Sequence, residues 1–197
     1  MINNSTITSS KLAQTIDIIE HSSVLDELKT IPRWMPYRIS SDEENTDSPE
    51  VKAISSEDGN FINPDDNSQW RTFQDACEAG AKFHADGIGF VFGDGYTCIT
   101  LYATFDNGHD GIIPEIAQLE RFLDSYTEWT HDRKLNVICR VEESFKKVEL
   151  SYSYKSSNSR LICHNWGNYF APISGMSYGT PATISERTEK VAYLHEI

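Results

Sequence analysis

Residues Gly87–Tyr102 read GIGFVF, GDG and YTCITLY, two β-rich runs separated by a short turn sequence. Asp-Gly pairs favour tight turns because both residues tolerate positive φ angles, so this stretch predicts a β-hairpin. Alternation of side chains along the second arm would place Thr100 and Tyr102 on one face. Two positions with this spacing can hold a divalent metal ion together if both are acidic, because Mg²⁺ and Mn²⁺ prefer carboxylate oxygen. Threonine and tyrosine supply no carboxylate.

Hydrophobic periodicity elsewhere in the chain predicts an α+β protein with one mixed or antiparallel sheet flanked by helices. Short helices are expected between Ser10 and Ile31, after Ser68 as an N-cap, from Pro114, and from Thr183 as the start of a capping box. The helix from Pro114 should bury an apolar stripe formed by Ile116, Leu119, Phe122 and Leu123. Further strands are expected at residues 34–39, 51–54, 135–141, 148–154 and 160–165.

The composition is that of a folded, acidic protein. Hydrophobic residues make up 39% of the 197 residues, which is enough for a core and argues against disorder. We expect residues 1–9 to be flexible and residues 10–197 to form a single domain. The net charge of −13 would repel nucleic acid at long range, so binding to phosphates would require a local basic patch.

Cysteine usage and hydropathy predict the cellular compartment of the protein. The chain has four widely spaced cysteines and no C-x-x-C pair: Cys77, Cys98, Cys139 and Cys163. They are expected to be buried thiols in a reducing cytosol, and their spacing argues against a zinc site. No apolar run approaches the ~20 residues that a membrane helix needs. We therefore expect a cytoplasmic protein without a membrane partner.

A set of framework residues follows in order across about residues 30–185: Trp34, Pro36, Lys52, Gly59, Asn63-Pro64, Trp70, Phe73, Ala76, Gly87–Phe92, Asp106-Asn107-Gly108, Pro114, Ala117 and Ser125–Glu128. In its order and spacing, this set resembles the N-terminal primase-polymerase domain of virus, plasmid and archaeal replication proteins. No single motif in it is specific, and the resemblance rests on the set as a whole.

The resemblance implies a reaction, nucleotidyl transfer, that uses Mg²⁺ or Mn²⁺ held by an Asp-Leu-Asp sequence at the end of the second hairpin strand. Here the same place reads Thr100-Leu101-Tyr102. In that family a histidine on the next strand contacts the phosphates of the incoming nucleotide. Asn136 or Val137 falls at that position, with His131 as a nearby substitute in the turn. Glu149 matches the third acid of the family. Because Thr100 and Tyr102 replace the other two acids, we expect no catalytic residues beyond this remnant and no bound metal.

These departures predict a catalytically inactive primase-polymerase-like domain that binds nucleic acid or nucleotide in a replication setting. Removing one fixed electrostatic stabiliser commonly costs on the order of 10²–10³ in rate, so losing two should leave activity near background. Basic and aromatic residues are interleaved in the C-terminal third, a pattern that suits single-stranded DNA or a nucleotide. The candidate binding residues are His131, Arg140, Lys146, Lys147, Lys155 and Arg160.

Two alternatives remain open at the level of sequence. The first is an acidic protein-interaction module, including residues 42–50, that imitates DNA and binds a basic replication or defence protein. The second is an active enzyme that uses Mg²⁺ or Mn²⁺ with other carboxylates. Its candidate ligands are Asp106, Asp110, Glu142 and Glu143.

Overall fold

The computed structural model describes residues 4–40, 50–102, 114–130, 134–142, 150–153, 160–164, 169–179 and 183–194. The elements in these ranges confirm the α+β class. The helices are α1 (Asn4–His21), α2 (Asp26–Lys29), α3 (Phe73–Lys82), α4 (Pro114–Leu123) and α5 (Thr188–Tyr193). The strands are β1 (Trp34–Ser40), β2 (Glu50–Ala53), β3 (Gly87–Phe92), β4 (Tyr96–Tyr102), β5 (Thr127–Trp129), β6 (Leu135–Arg140), β7 (Leu150–Ser153), β8 (Arg160–His164), β9 (Tyr169–Ile173) and β10 (Ser185–Glu186). No helix in these ranges has both the length and the hydrophobicity required to cross a membrane.

The chain divides into two compact units. The first comprises Met1–Val91 and Phe170–Gly175, and the second comprises Phe92–Tyr169 and Met176–Ile197. The described strands form two sheets, whereas the sequence predicted one. The prediction that residues 10–197 form a single domain stays a prediction.

The sheet of the first unit has the strand order β2-β1-β3-β9, with β1 antiparallel to both β2 and β3. Trp34, at the start of β1, is fully buried and packs edge-on against Phe73 and Phe90, at ring-centroid distances of 5.0 and 5.3 Å. Its indole N–H donates to the backbone oxygen of Leu28 at 3.0 Å. This ring therefore ties α2 and α3 to the sheet, and its polar nitrogen is satisfied inside the core.

The sheet of the second unit has the order β10-β6-β4-β8-β7, and β5 pairs with β6 on the same edge as β10. Strands β4 to β8 pair antiparallel, whereas the short β10 is parallel to β6. One face of β4 and β6 contributes to a core with α4 and α5 that includes Ile99, Leu101, Leu123, Val137 and Val191. Because side chains alternate, the opposite face of these two strands carries Thr100 and Asn136.

The predicted hairpin of β3 and β4 is wrong, although both strands and the turn are present. Gly93, Asp94 and Gly95 have positive φ angles of 144°, 47° and 93°, and the Tyr96 N–H donates to the Gly93 oxygen at 3.2 Å. However, β3 lies between β1 and β9 in one sheet, whereas β4 lies between β6 and β8 in the other. Each arm thus has other strands on both edges, a long-range arrangement that a local turn sequence does not specify.

The N-terminal helices differ from prediction in their starting points. Helix α1 begins at Asn4, inside the segment 1–9 that was expected to be flexible, and the flexibility itself stays a prediction. Helix α3 is capped by Thr72 rather than by Ser68. The Thr72 hydroxyl accepts from the Asp75 N–H at 3.2 Å, which satisfies one of the free donors at the helix start.

The C-terminal helices also correct two predictions. Helix α5 begins at Thr188 rather than at Thr183, because Ser185 and Glu186 pair with β6 as β10. In α4, Ile116 and Leu123 are buried as predicted, whereas Phe122 is 37% exposed. The Phe122 ring lies beside Tyr193 of α5 instead, with ring centroids 5.9 Å apart.

Candidate functional site

Strands β4, β6 and β5 lie side by side and align three polar residues. Thr100 of β4 is paired with Asn136 of β6, and Asn136 is paired on its other side with Glu128 of β5. Cross-strand partners point to the same face, with Cβ atoms about 4.5–5.5 Å apart, so these side chains are neighbours. We call Thr100, Asn136 and Glu128 the polar row.

Two members of the polar row are positions at which the family resemblance implies catalytic residues. The Thr100 hydroxyl donates to Asn136 Oδ1 at 2.9 Å, and the two residues are 5% and 1% exposed. Both groups are uncharged, so they do not offer the anionic oxygen that a divalent cation needs. Their burial requires hydrogen bonding within the protein, and this contact supplies part of it.

Glu128 is the acidic member of the polar row, and sequence analysis did not identify it as a site residue. It is fully buried, and the Tyr126 phenol donates to Glu128 Oε2 at 3.0 Å. Burial, reinforced by the charge of Glu128, raises the pKa of Tyr126, so the phenol stays protonated and acts as the donor. Both residues belong to the Ser125–Glu128 sequence of the resemblance. With only three residues, β5 was too short for periodicity to predict.

Ser125 fixes the start of β5 against its neighbours. Its fully buried hydroxyl donates to the Ile138 backbone oxygen of β6 and accepts from the Ser185 N–H of β10 at 2.9 Å. The Ile138 N–H in turn donates to the Tyr126 oxygen at 2.8 Å. These three bonds hold Tyr126 and Glu128 in position beside β6.

The other residues of the predicted site are located only in part. Tyr102 ends β4, where it is paired with Arg160 of β8. His131, Lys146, Lys147, Glu149 and Lys155 lie outside the described residues. Of the alternative acids, Asp106, Asp110 and Glu143 also lie outside them, as do residues 42–49 of the acidic loop. Glu142 is exposed, and its backbone N–H donates to Thr188 Oγ1 at 2.7 Å.

Arg140 is the predicted basic residue whose surroundings the structure describes. It is the exposed last residue of β6 and is paired with Tyr96 of β4 and Glu186 of β10. Hydrogen bonds from Thr188 lower the pKa of Glu186, and the charges of Arg187 and Arg140 add to this effect. Arg140 thus has an acidic neighbour, which weakens the local positive potential available to a phosphate.

Two of the cysteines, Cys98 and Cys139, lie in neighbouring strands but not on a common face. Cys139 is paired with Thr97, and Cys98 with Ile138, which puts Cys98 and Cys139 on opposite faces of the sheet. Burial raises the pKa of both Cys77 and Cys139 to about 12, so these thiols are protonated at neutral pH. Among the described residues, no group of three or more His, Cys, Asp and Glu side chains could hold a metal ion.

Comparison of the chain with protein-family models and with curated proteins gives no match. The basis for a functional inference is therefore the geometry of the polar row, taken together with the resemblance in the sequence.

Proposed function

We propose that this chain is a catalytically inactive primase-polymerase-like domain that acts by binding nucleic acid or nucleotide in a virus, plasmid or archaeal replication setting. The observation that carries the proposal is the 2.9 Å hydrogen bond between Thr100 and Asn136. In the resemblance Thr100 takes the place of a metal-binding Asp, and Asn136 or its neighbour Val137 takes that of a phosphate-contacting His. These two positions come from separate parts of the sequence. Their pairing across β4 and β6 supports that alignment.

The chemistry of nucleotidyl transfer explains why this pair argues against catalysis. The metal ions bridge protein carboxylates and the triphosphate, and they stabilise the charge on the attacking and leaving oxygens. The Thr100 hydroxyl and the Asn136 amide bond to each other and are both uncharged. They therefore offer such ions no anionic ligand.

Primer synthesis tests the absence of catalysis. The protein would be incubated with a single-stranded template, nucleoside triphosphates and either Mg²⁺ or Mn²⁺. We expect product at the background level, and the same level for Glu149→Ala. Metal-dependent synthesis that disappears in Glu149→Ala would contradict the proposal and favour an active enzyme that uses other carboxylates.

Fluorescence anisotropy of a labelled single-stranded oligonucleotide tests the binding function. We expect affinity to fall steeply as salt rises, because phosphate contacts release counterions. Lys146→Ala should weaken binding, whereas Lys11→Ala, which removes the same charge from an exposed position in α1, should leave it unchanged. No binding at low salt, or equal effects of the two variants, would count against a nucleic-acid function.

A second candidate function is supported by exposed acidic residues in the first unit. Hydrogen bonds from Asn60 and Ser68 lower the pKa values of Asp58 and Asp66, so both are charged at neutral pH. The exposed carboxylates between residues 57 and 78 are Glu57, Asp58, Asp65, Asp66, Asp75 and Glu78. A surface of this charge suits a basic replication or defence protein.

A purified basic partner would distinguish this second function from nucleic-acid binding. Its complex with the wild type should survive nuclease treatment and should weaken in the double variant Asp65→Asn with Glu78→Gln. The double variant Lys11→Gln with Lys82→Gln, which changes exposed charges of the opposite sign, should strengthen it or leave it unchanged. A complex lost on nuclease treatment would exclude direct recognition of the acidic residues.

A further inference from the structure

Near its C-terminal end, α4 meets α5 at two exposed aromatic rings. Phe122 is 37% and Tyr193 is 53% exposed, and their ring centroids lie 5.9 Å apart. We call these two residues the aromatic pair. Lys190 fixes one side of the pair, because its Nζ donates to the Phe122 backbone oxygen at 2.6 Å and lies 5.4 Å from the centre of the Phe122 ring. The rings therefore form a held, solvent-facing apolar surface on the second unit.

The charged groups around the aromatic pair have both signs. Arg121 is exposed and directly precedes one ring in sequence, and Glu189 is exposed one turn before the other ring, on the same side of α5. Lys190 is a second cation, at the end of α4 where the helix dipole is negative. Asp124 and Arg187 compensate each other in an ion pair of 2.8 Å. These charges nearly cancel, in a protein whose net charge is −13.

This balance of charge favours one kind of partner. Nucleic acid is uniformly negative and a basic protein is mainly positive, so either would meet like charges beside the rings. A second copy of the chain, related by a two-fold axis, presents the same rings and the same two signs, so cations of one copy face the anion of the other. Acidic proteins repel their own copies at long range, and a nearly neutral surface is where that repulsion is weakest.

We propose that the aromatic pair is the centre of a two-fold contact surface through which two copies of this chain associate. Arg121 and Lys190 of each copy approach Glu189 of the other, and the rings bury their exposed faces against each other. Two rings cover little of the about 1,200–2,000 Å² that a stable interface buries, so the association is weak and reversible. The surface uses neither Thr100 nor Asn136, so self-association can fail while the proposed function stands.

Sedimentation equilibrium at increasing protein concentration tests the contribution of the rings. We expect the average mass of the wild type to rise towards that of two chains, and the double variant Phe122→Gln with Tyr193→Gln to remain a monomer. Phe61→Gln is the matched control, because it removes a ring that is 56% exposed in the first unit, and it should associate like the wild type. A wild type that stays monomeric, or equal losses in the two variants, would overturn the proposal.

Reversing the charge of Glu189 distinguishes a second copy from nucleic acid. Glu189→Lys leaves the aromatic pair intact but removes its anion, so self-association should weaken, and adding Arg121→Glu should restore it. Glu78→Lys makes the same change of net charge at an exposed position of α3 and should not weaken association. If Glu189→Lys instead binds a labelled single-stranded oligonucleotide more tightly and associates as the wild type does, the surface belongs to nucleic acid and the proposal is wrong.

Amide NMR shifts of the wild type keep the test decisive if a variant does not fold. As protein concentration rises, we expect progressive shifts in α4 and α5, largest near Phe122 and Tyr193, and none around Phe61. Shifts that are absent, or that map to other elements, would contradict association through the aromatic pair.

Discussion

Arg187 holds the C-terminal end of α4 through Asp124. Its Nη2 donates to the Asp124 backbone oxygen at 2.6 Å and to the Asp124 carboxylate at 2.8 Å, and its Nε donates to the Leu123 oxygen at 2.6 Å. Asp124 has a φ angle of +48°, as is common just after a helix. The last carbonyl groups of a helix have no partner within it, so a cation at this end satisfies them and complements the helix dipole.

Loss of this contact should destabilise the protein. We expect Arg187→Ala to lower the free energy of unfolding by about 1–3 kcal/mol, measured by urea denaturation. Arg121→Ala is the control, because the exposed Arg121 side chain donates to the backbone oxygen of Ala117 in its own helix, at 3.0 Å. Its effect should stay within about 0.5 kcal/mol. Equal losses in both variants would contradict the role of Arg187.

Glu120 of α4 should make stability depend on pH. It is 6% exposed, and burial raises its pKa, with the charge of Arg121 opposing this shift and that of Asp124 adding to it. The folded protein thus binds this proton more tightly than the unfolded chain does. The stabilisation that this tighter proton binding provides is complete below the ordinary Glu pKa of about 4.3. It is lost as pH rises through the pKa of Glu120 in the folded protein.

Glu120→Gln removes this titration. We therefore expect its melting temperature, relative to that of the wild type, to increase between about pH 4 and pH 8. Glu78→Gln changes an exposed carboxylate and is the control. The difference between its melting temperature and that of the wild type should stay constant over the same range. A constant difference for Glu120→Gln as well would show that Glu120 titrates normally in the folded protein.

Gly89 of β3 occupies a place where two backbones approach closely. A Cβ atom there would lie 2.6 Å from the Ala171 backbone oxygen. We expect Gly89→Ala to lower the free energy of unfolding by about 1–3 kcal/mol, because the backbone must shift. Gly80→Ala in α3 is the control. Its Cβ would meet Leu12 at an ordinary 3.5 Å, and alanine favours helix by about 0.5–1 kcal/mol, so stability should hold or rise. Thermal melts that rank the two variants the other way would refute this packing.

The buried thiols should resist modification until the protein unfolds. Burial raises the pKa of Cys77 and Cys139 to about 12, and Cys98 is also buried, so little thiolate forms at pH 8. In a Cys163→Ser background, we expect Ellman's reagent to react slowly with the folded protein and rapidly in urea. Fast reaction of Cys139 without denaturant would contradict its burial in β6.

Local patterns predicted the elements better than their pairing. Strand β6 and helix α4 follow from periodic runs, because alternation and helical spacing are properties of neighbouring residues. The partners of β3 and β4 depend on distant strands, so the turn at Asp94 suggested a hairpin that does not form. Thr100 and Asn136 are 36 residues apart, and only the β4–β6 register brings them together. Glu128 escaped notice because β5 contributes only three residues.

Binding of Mn²⁺ to the wild-type protein measures whether β4 carries a metal site. In amide NMR spectra with Mn²⁺ and a nucleoside triphosphate, we expect no selective paramagnetic broadening at Thr100, Leu101 or Asn136. The double variant Thr100→Asp with Tyr102→Asp, which restores two carboxylates, serves as the comparison. Signals of the wild type that remain sharp at these residues would agree with an uncharged polar pair in place of metal ligands. Selective broadening there in the wild type, abolished by Glu149→Ala, would contradict it.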